Sequence, residues 1–206
     1  MEQSPRIGRR VVKIGGSCLE DPDLCTAMRG WLNDQAAAEN FLIVGGGDCI
    51  EAMRALSDRF ALDRQEMHWR CVDLLDATWG IAAELFPDWI PIATPAELRL
   101  QRDAVPRAAN YLVRVKAFYR RSSRDPQPLR EGWETTTDSI AAFLARLIGA
   151  SELVLIKSCP IPTLEPQALA AEGIVDAAFP AALPAGIHFR CCQLVRETRL
   201  VRGDTA

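Results

Sequence analysis

The chain has 206 residues, 49% of them hydrophobic and 25% charged, which is a globular composition long enough to bury a sizeable core as one domain. A net charge of −3 and a sequence pI near 5.5 argue against a general nucleic-acid binder. No apolar run approaches the roughly 20 residues that a membrane helix needs, and the polar stretch from Met1 to Arg10 lacks the apolar core of a signal peptide. The expectation is a soluble, cytoplasmic protein with neither a membrane nor a nucleic-acid partner.

The first buried strand is predicted at Val11-Val12-Lys13-Ile14, ended sharply by Gly15-Gly16-Ser17. Without a Cβ, such a turn brings backbone N–H groups close to a ligand. Ser17 adds a hydroxyl, and Lys13 is placed to send an ammonium toward the same mouth. Asp21-Pro22 reads as an N-cap followed by proline at the first helical position. Leu24, Met28, Trp31 and Leu32 then recur at helical spacing. Phe41-Leu42-Ile43-Val44 is a second buried strand, ended by Gly45-Gly46-Gly47, and a helix follows with Ile50, Met53, Leu56 and Phe60 on one face. Strand, glycines and helix have then occurred twice, the pattern of a parallel α/β sheet with ligands at the carboxyl ends of its strands.

A long helix is predicted over 65–85, with Met67, Cys71, Leu74, Leu75, Thr78, Ala82 and Leu85 as its apolar stripe and His68 and Trp69 near its start. Asp73 and Asp76 share a face of it and read as solvated. A short strand falls at 89–93, a short helix begins at Thr94-Pro95, and Tyr111 to Val115 is another strand. Residues 120–131, with Arg120, Arg121 and Arg124, read as an exposed basic loop. Trp133 precedes Thr135-Thr136-Thr137-Asp138, where the threonines cap a helix that Gly149 closes. The strand Glu152 to Ser158 follows, again with a lysine, Lys157, at its carboxyl end. A short helix runs to Glu172, and Gly173 ends it. Gly173 to Asp176 and Phe179-Pro180 are turn-like, and 187–195 with 198–201 read as a closing β-hairpin.

Two residue counts add to this. The seven cysteines include no C-x-x-C pair and only two histidines accompany them, so neither a disulfide framework nor a metal site is expected. Most of the cysteines read as small, buried and reduced. Of 24 lysines and arginines only three are lysine (Lys13, Lys116 and Lys157), and two of those stand at strand ends. A compact ammonium serving as a phosphate-binding point charge is one reason for arginine not to substitute there.

Taken together, Lys13-x-Gly-Gly-Ser, Gly45-Gly46-Gly47, Thr136-Thr137-Asp138-Ser139-Ile140-Ala141-Ala142 and Leu153 to Ser158 resemble, in order and spacing, the amino acid kinase superfamily. That superfamily includes acetylglutamate, aspartate, uridylate and isopentenyl phosphate kinases. The resemblance runs from about residue 11 to 180. Within the superfamily the chain is similar to the small branch containing the aminomethylfuran methyl phosphate kinase of methanofuran biosynthesis. His68-Trp69, Trp133, Ile156-Lys157-Ser158 and Gly173-Ile174-Val175-Asp176 with Phe179 carry that likeness.

The resemblance implies a three-layer α/β sandwich with a mainly parallel central sheet, the amino acid kinase (carbamate kinase-like) fold. It implies a single domain over 1–206, with an acceptor-binding lobe at about 11–135 and a short nucleotide-binding lobe at about 136–206. It implies a kinase using ATP and Mg²⁺, a small-molecule phosphate or carboxylate acceptor, and a homo-oligomer, dimer or higher. Lys13 would bind the transferring phosphoryl, and Asp138 would orient the lysines rather than act as a base. Lys157 would sit on the ATP side. Gly15, Gly16, Ser17, Thr137, Ser158 and Asp176 would join Lys157 around the ATP phosphates. Gly45, Gly46, Gly47, His68, Trp69 and Trp133 would meet the acceptor, with Gly46 also supplying an N–H to phosphate.

Other readings stand beside these. Asp138 also reads as a carboxylate at a helix N-terminus, and His68 and Trp69 as core or interface residues. Many superfamily members carry a second lysine in a late Gly-Met-x-x-Lys segment, and here no lysine follows Lys157. Either Lys157 takes that role, an arginine such as Arg190 does, or transfer is weak. A non-catalytic nucleotide-binding or storage protein, a structural or regulatory subunit, and a kinase for an amino acid, isopentenyl phosphate or a nucleoside monophosphate are the alternatives.

Overall fold

The computed structural model describes residues 7–121 and 128–194. Strand β1 (Gly8–Ile14) lies inside a six-stranded sheet, between β2 (Ala38–Val44) and β5 (Glu152–Lys157). Beyond β2 come β4 (Ala109–Val113) and then β3 (Ile90–Ile92); beyond β5 comes β6 (His188–Gln193). Every pairing is parallel. A parallel strand covered on both faces must be apolar on both, which explains the unbroken Val, Ile and Leu runs of β1, β2 and β5.

Alternation along the strands divides the core in two. Val11, Phe41, Ile43, Tyr111, Leu153 and Leu155 face one layer, shared with helix α5 (Thr137–Ile148). Val12, Ile14, Leu42, Leu112, Val154 and Ile156 face the other, packed with helix α1 (Leu24–Asn33). The long helix α3 (Arg64–Leu85) changes layers along its length: Trp69, Val72 and Leu75 belong to the first cluster and Ala82 to the second. Helix α4 (Pro95–Asp103) opens with a capping box between Thr94 and Glu97. The α/β sandwich expected from the sequence is present, and its sheet is wholly rather than mainly parallel.

Several local expectations need correction. A 3-10 turn at Gly16–Glu20 separates β1 from α1, so the glycine turn does not lead straight into that helix. Asp21 does not cap α1; its carboxylate accepts from the Asp23 N–H, and the helix begins two residues later than Asp21-Pro22 suggests. Helix α2 (Asp48–Phe60) exists, but its apolar face is only partly covered: Ile50 and Met53 are half-buried, while Leu56 is 45% exposed and Phe60 64%. On α3 the buried side chains include His68, Trp69 and Val72, while Leu85 is exposed. Strand β4 stops at Val113, and Val115 opens a second 3-10 turn.

After helix α6 (Pro166–Ala171), Phe179 and Pro180 form a short helix, α7 (Phe179–Ala182), rather than a turn. The first arm of the expected hairpin is β6, and it runs parallel to β5; residues 198–201 lie outside the described residues. Asp73 and Asp76 are not simply solvated, because Lys116 bridges both and Arg114 also pairs with Asp76. Of the cysteines, all free, only Cys18 and Cys191 are buried.

From β1 the chain passes to β2 on one side, while β5 and β6 lie on the other. The carboxyl ends of β1 and β5 therefore flank the switch point of the sheet, where open α/β sheets bind ligands.

Candidate functional site

Lys13 is in register with Leu155 of the neighbouring strand. Lys157 lies two residues further along β5, so both lysines project from the same face of the sheet, toward α5. Thr136 is the N-cap of that helix and Asp138 its second residue, which puts one carboxylate between two ammoniums. Lys13 Nζ lies 2.9 Å from Asp138 Oδ1, and Lys157 Nζ lies 2.7 Å from Oδ2. All three are buried: Lys13 is 5% exposed, Asp138 3% and Lys157 9%.

Burial lowers the pKa of Lys13; the charge of Asp138 opposes this and that of Lys157 adds to it. Burial pushes the Asp138 carboxyl up, but the lysine charges and their hydrogen bonds outweigh it, so Asp138 stays below the usual carboxylate range. Asp138 thus remains an anion whose oxygens are both taken by lysine. Such a group orients cations and is poorly suited to accept a proton.

The triad lines a cleft of about 450 Å³. Gly16, Ser17, Gly45, Gly46, Gly47, Thr136, Thr137 and Asp176 line it with the lysines, as do Arg54, His68, Gly132, Trp133 and Thr135. The two glycine turns are in contact, and a Cβ on Gly16 would lie 1.9 Å from the nitrogen of Gly47. Gly47, at φ +56°, is the N-cap residue of α2 and supplies no side chain to it. The N-terminal turn of α2 is exposed and turns the positive end of the helix dipole outward; its Ile50 N–H donates to Gly47 O, and Asp48 and Glu51 place acidic side chains on the same turn.

Not every predicted contact lies where expected. The Gly15 N–H donates to Ile156 O and the Gly45 N–H to Ile14 O, so both extend the sheet ladder and neither is free for phosphate. Gly45 packs beside the Thr137 hydroxyl. The hydroxyls of Ser17 and Ser158 are 2.8 Å apart and join the turns after β1 and β5.

Asp176, expected among the ATP-phosphate ligands, lines the cleft, and its carboxylate accepts hydrogen bonds from the first turn of α5. The donors are Thr136 N (2.9 Å), Thr136 Oγ1 (2.8 Å), Ser139 N (3.0 Å) and Ser139 Oγ. Burial, and then the charge of Asp138, raise its pKa, against the hydrogen bonds from Ser139 and Thr136.

His68 reaches the cleft wall with both ring nitrogens engaged, Nδ1 with Gly132 O (3.2 Å) and Nε2 with Tyr119 Oη (2.9 Å). Burial lowers its pKa, opposed by the Gly132 hydrogen bond. Trp69 does not line the cleft: it stacks on Tyr119 in the core, and its indole N–H donates to Glu131. Trp133 does line it. Arg190 does not replace a late lysine, because its guanidinium is held by Glu152 and Gln35 at the amino end of the sheet. Arg121 pairs with Glu66, and Arg124 lies outside the described residues.

Sequence reasoning missed Arg54. Its guanidinium stands 4.5 Å from the ring centre of Trp133, at the cleft rim, and pairs with Glu51 at 3.3 Å. The signal was its position four residues after Ile50, which puts both on one face of α2. Thr135 was also missed; its buried hydroxyl has no hydrogen-bond partner among the described residues.

No protein-family model and no curated protein matches the chain. Solved structures do. The UMP kinase from Ureaplasma parvum aligns over 92% of this chain and 91% of its own, with a TM-score of 0.62 and 13% identity. The UMP kinase from Bacillus anthracis aligns over 94% and 90%, with a TM-score of 0.62 and 11% identity. The aspartate kinase from Synechocystis aligns over 91% of this chain but 38% of its own, with a TM-score of 0.61 and 15% identity. At these identities the likeness is one of fold, the amino acid kinase fold that the sequence led us to expect.

Proposed function

We propose that the protein is an ATP- and Mg²⁺-dependent small-molecule kinase that transfers a phosphoryl group to a phosphate or carboxylate acceptor. The observation that carries this reading is the meeting of Lys13 and Lys157 on Asp138 at the mouth between the glycine turns. In-line phosphoryl transfer asks a protein for positioning and for neutralisation of charge on the transferring oxygens. In this reading Lys13 neutralises the transferring phosphoryl and Lys157 serves the nucleotide side, taking the place of the missing late lysine. Asp138 fixes both ammoniums, and the turns at Gly16 and at Gly46-Gly47 crowd the phosphates from either side.

Among the described residues no group of three or more His, Cys, Asp or Glu side chains is placed to cage a metal. Mg²⁺ would arrive on the nucleotide phosphates, keep much of its water, and share the phosphate charge with the lysines.

Beside the lysines the cleft wall also carries apolar side chains, Ile50, Val72, Leu75, Ile140 and Val175, with Arg54, His68 and Thr135 among them. A compact acceptor with an apolar or aromatic body and one anionic head fits this lining. We therefore carry forward an aminomethylfuran methyl phosphate, in the biosynthesis of a methanofuran-type cofactor, as the proposed acceptor. Gly46, Gly47 and Trp133 would meet it, with His68 behind them in the wall. We also propose a homo-oligomer formed through α2, whose Leu56 and Phe60 stay exposed within one chain.

The test is ADP formation from ATP and Mg²⁺ with a panel of acceptors: aminomethylfuran methyl phosphate, isopentenyl phosphate, UMP and aspartate. Acceptor-dependent ADP release that disappears in Lys13→Ala is the expected result. Binding of ATP by calorimetry without turnover on any acceptor would favour a nucleotide-binding or storage protein. The absence of a thermal shift with ATP and magnesium would favour a structural subunit.

A further inference from the structure

We propose that Asp176 is a positioning residue: through the first turn of α5 it holds Asp138, and through Asp138 both ammonium groups, at the mouth of the cleft. The catalytic consequence rests on the kinase reading above; the placement of the lysines does not.

The argument begins with the needs of a helix start. The first N–H groups of α5 have no partner within the helix. Thr136 Oγ1 serves Asp138 N at a long 3.4 Å. Asp176 serves the N–H groups of Thr136 and Ser139, on either side of Asp138, and takes the hydroxyls of the same two residues. The carboxylate also complements the positive end of the helix dipole.

Asp176 is itself held in place. Its Oδ1 accepts from Ala178 N at 3.2 Å, and Ala178 N also donates to Glu134 O at 2.9 Å, which ties the segment after α6 to the one before α5. Gly173, at φ +71°, turns the chain into that segment. A second, half-buried carboxylate beside Asp138 costs electrostatic energy, and the donors from α5 offset it. Its oxygens are used, and its charge would repel a phosphate. What remains for it is to set the turn that carries Asp138.

Three lysines in the whole chain make this directly measurable. In protein labelled isotopically at lysine, the side-chain Cε and Nζ resonances of Lys13 and Lys157 report the pairing with Asp138. Lys116, paired with Asp73 and Asp76 elsewhere, is the internal control. Asp176→Asn keeps the shape but removes the charge and one acceptor oxygen. The expected result is movement of the Lys13 and Lys157 signals with Lys116 unchanged. With any acceptor that turns over, kcat falls by up to about a hundredfold while KM for ATP stays close to its native value.

A folded Asp176→Asn protein whose Lys13 and Lys157 signals are unmoved overturns the proposal. If that variant does not fold, Ser139→Ala removes one hydroxyl contact and leaves the charge. It should move the same two signals by less, and unmoved signals there overturn the proposal as well. If the signals move but no acceptor turns over in the native protein, the kinase reading fails and the positioning of the lysines by Asp176 stands.

Discussion

Strands β1 and β5 bury charge at both ends, and the two ends are built differently. At the amino end the cations are arginines with fixed, plural partners. Arg9 donates to Glu39 at 2.9 Å and to the carbonyls of Ile148, Arg102 and Ala104. Glu39 accepts a further bond from Gln101, and Arg10 is shared between Glu152 and Asn40. At the carboxyl end the cations are lysines, Lys13 and Lys157, and they share one carboxylate beside an open cleft. A guanidinium fork suits a permanent, many-partner contact; an ammonium is a point charge that can turn from a carboxylate to an incoming anion. The difference separates charge that holds the sheet from charge that works at its edge.

The largest effect should come from breaking the working end. Lys13→Ala is expected to lower kcat by about a hundred- to a thousandfold. Lys13→Arg should be nearly as damaging, because a planar fork cannot take the place of an ammonium buried against Asp138. Rate measurements on folded variants check both, and full activity in Lys13→Ala would refute the assignment. The same end sets a pH dependence. Asp138 has its carboxyl held low by the two lysines against the effect of burial, so its contribution to stability is present above the usual carboxylate range. It is lost as pH falls through the depressed value. Urea midpoints followed from neutral pH downward should fall at the acid end in the native protein, and the fall should be shallower in Asp138→Asn.

The structural end should respond in the opposite way. Glu152→Ala leaves Arg10, with a side chain 7% exposed, without its carboxylate partner. Removing one member of a buried pair costs roughly 3 kcal/mol of stability, read from urea unfolding, while kcat per folded molecule stays native. A Glu152→Ala protein of native stability, or one with reduced kcat, would erase the contrast between the two ends.

Where the ends meet the backbone, stability and activity should fall together. A methyl on Gly16 would overlap Gly47 N, and no side-chain movement relieves a clash with backbone. Gly16→Ala is expected to cost about 2 kcal/mol and to lower turnover by pushing the glycine turns apart. Thermal unfolding and initial rates on one preparation test the coupling; a change in only one of them breaks it.

Much of the working end was legible in the sequence. Strand, glycines and helix repeat in order, and the scarcity of lysine singled out Lys13 and Lys157 before any geometry was known. The structural end was not legible. Arg9, Arg10, Glu39 and Glu152 are ordinary charged residues in sequence, and only the parallel register shows that Arg9 meets Glu39 and Arg10 meets Glu152 where the sheet takes them largely out of water. Asp176 was only half legible for a related reason: likeness to a motif placed it at the cleft, which it lines, but the donors that gather around its oxygens are a three-dimensional fact. The partly covered face of α2 had a correct helical period, and period alone does not say how much of it a neighbour covers.

The smallest expected effect concerns the third lysine. Lys116 joins Asp73 and Asp76 on the surface between α3 and the turn after β4, with about a third of its side chain exposed. An exposed pair of this kind is worth about 0–1 kcal/mol, and two carboxylates side by side accept a guanidinium as readily as an ammonium. Lys116→Arg should therefore shift the unfolding midpoint within the error of the measurement and leave kcat native. The value of the variant lies in the pairing with Lys13→Arg. The same exchange of charge for charge should be silent at Lys116 and severe at Lys13. If both are silent, the lysine at the end of β1 has no need of its ammonium, and the distinction between the two ends of the sheet reduces to one of coding preference.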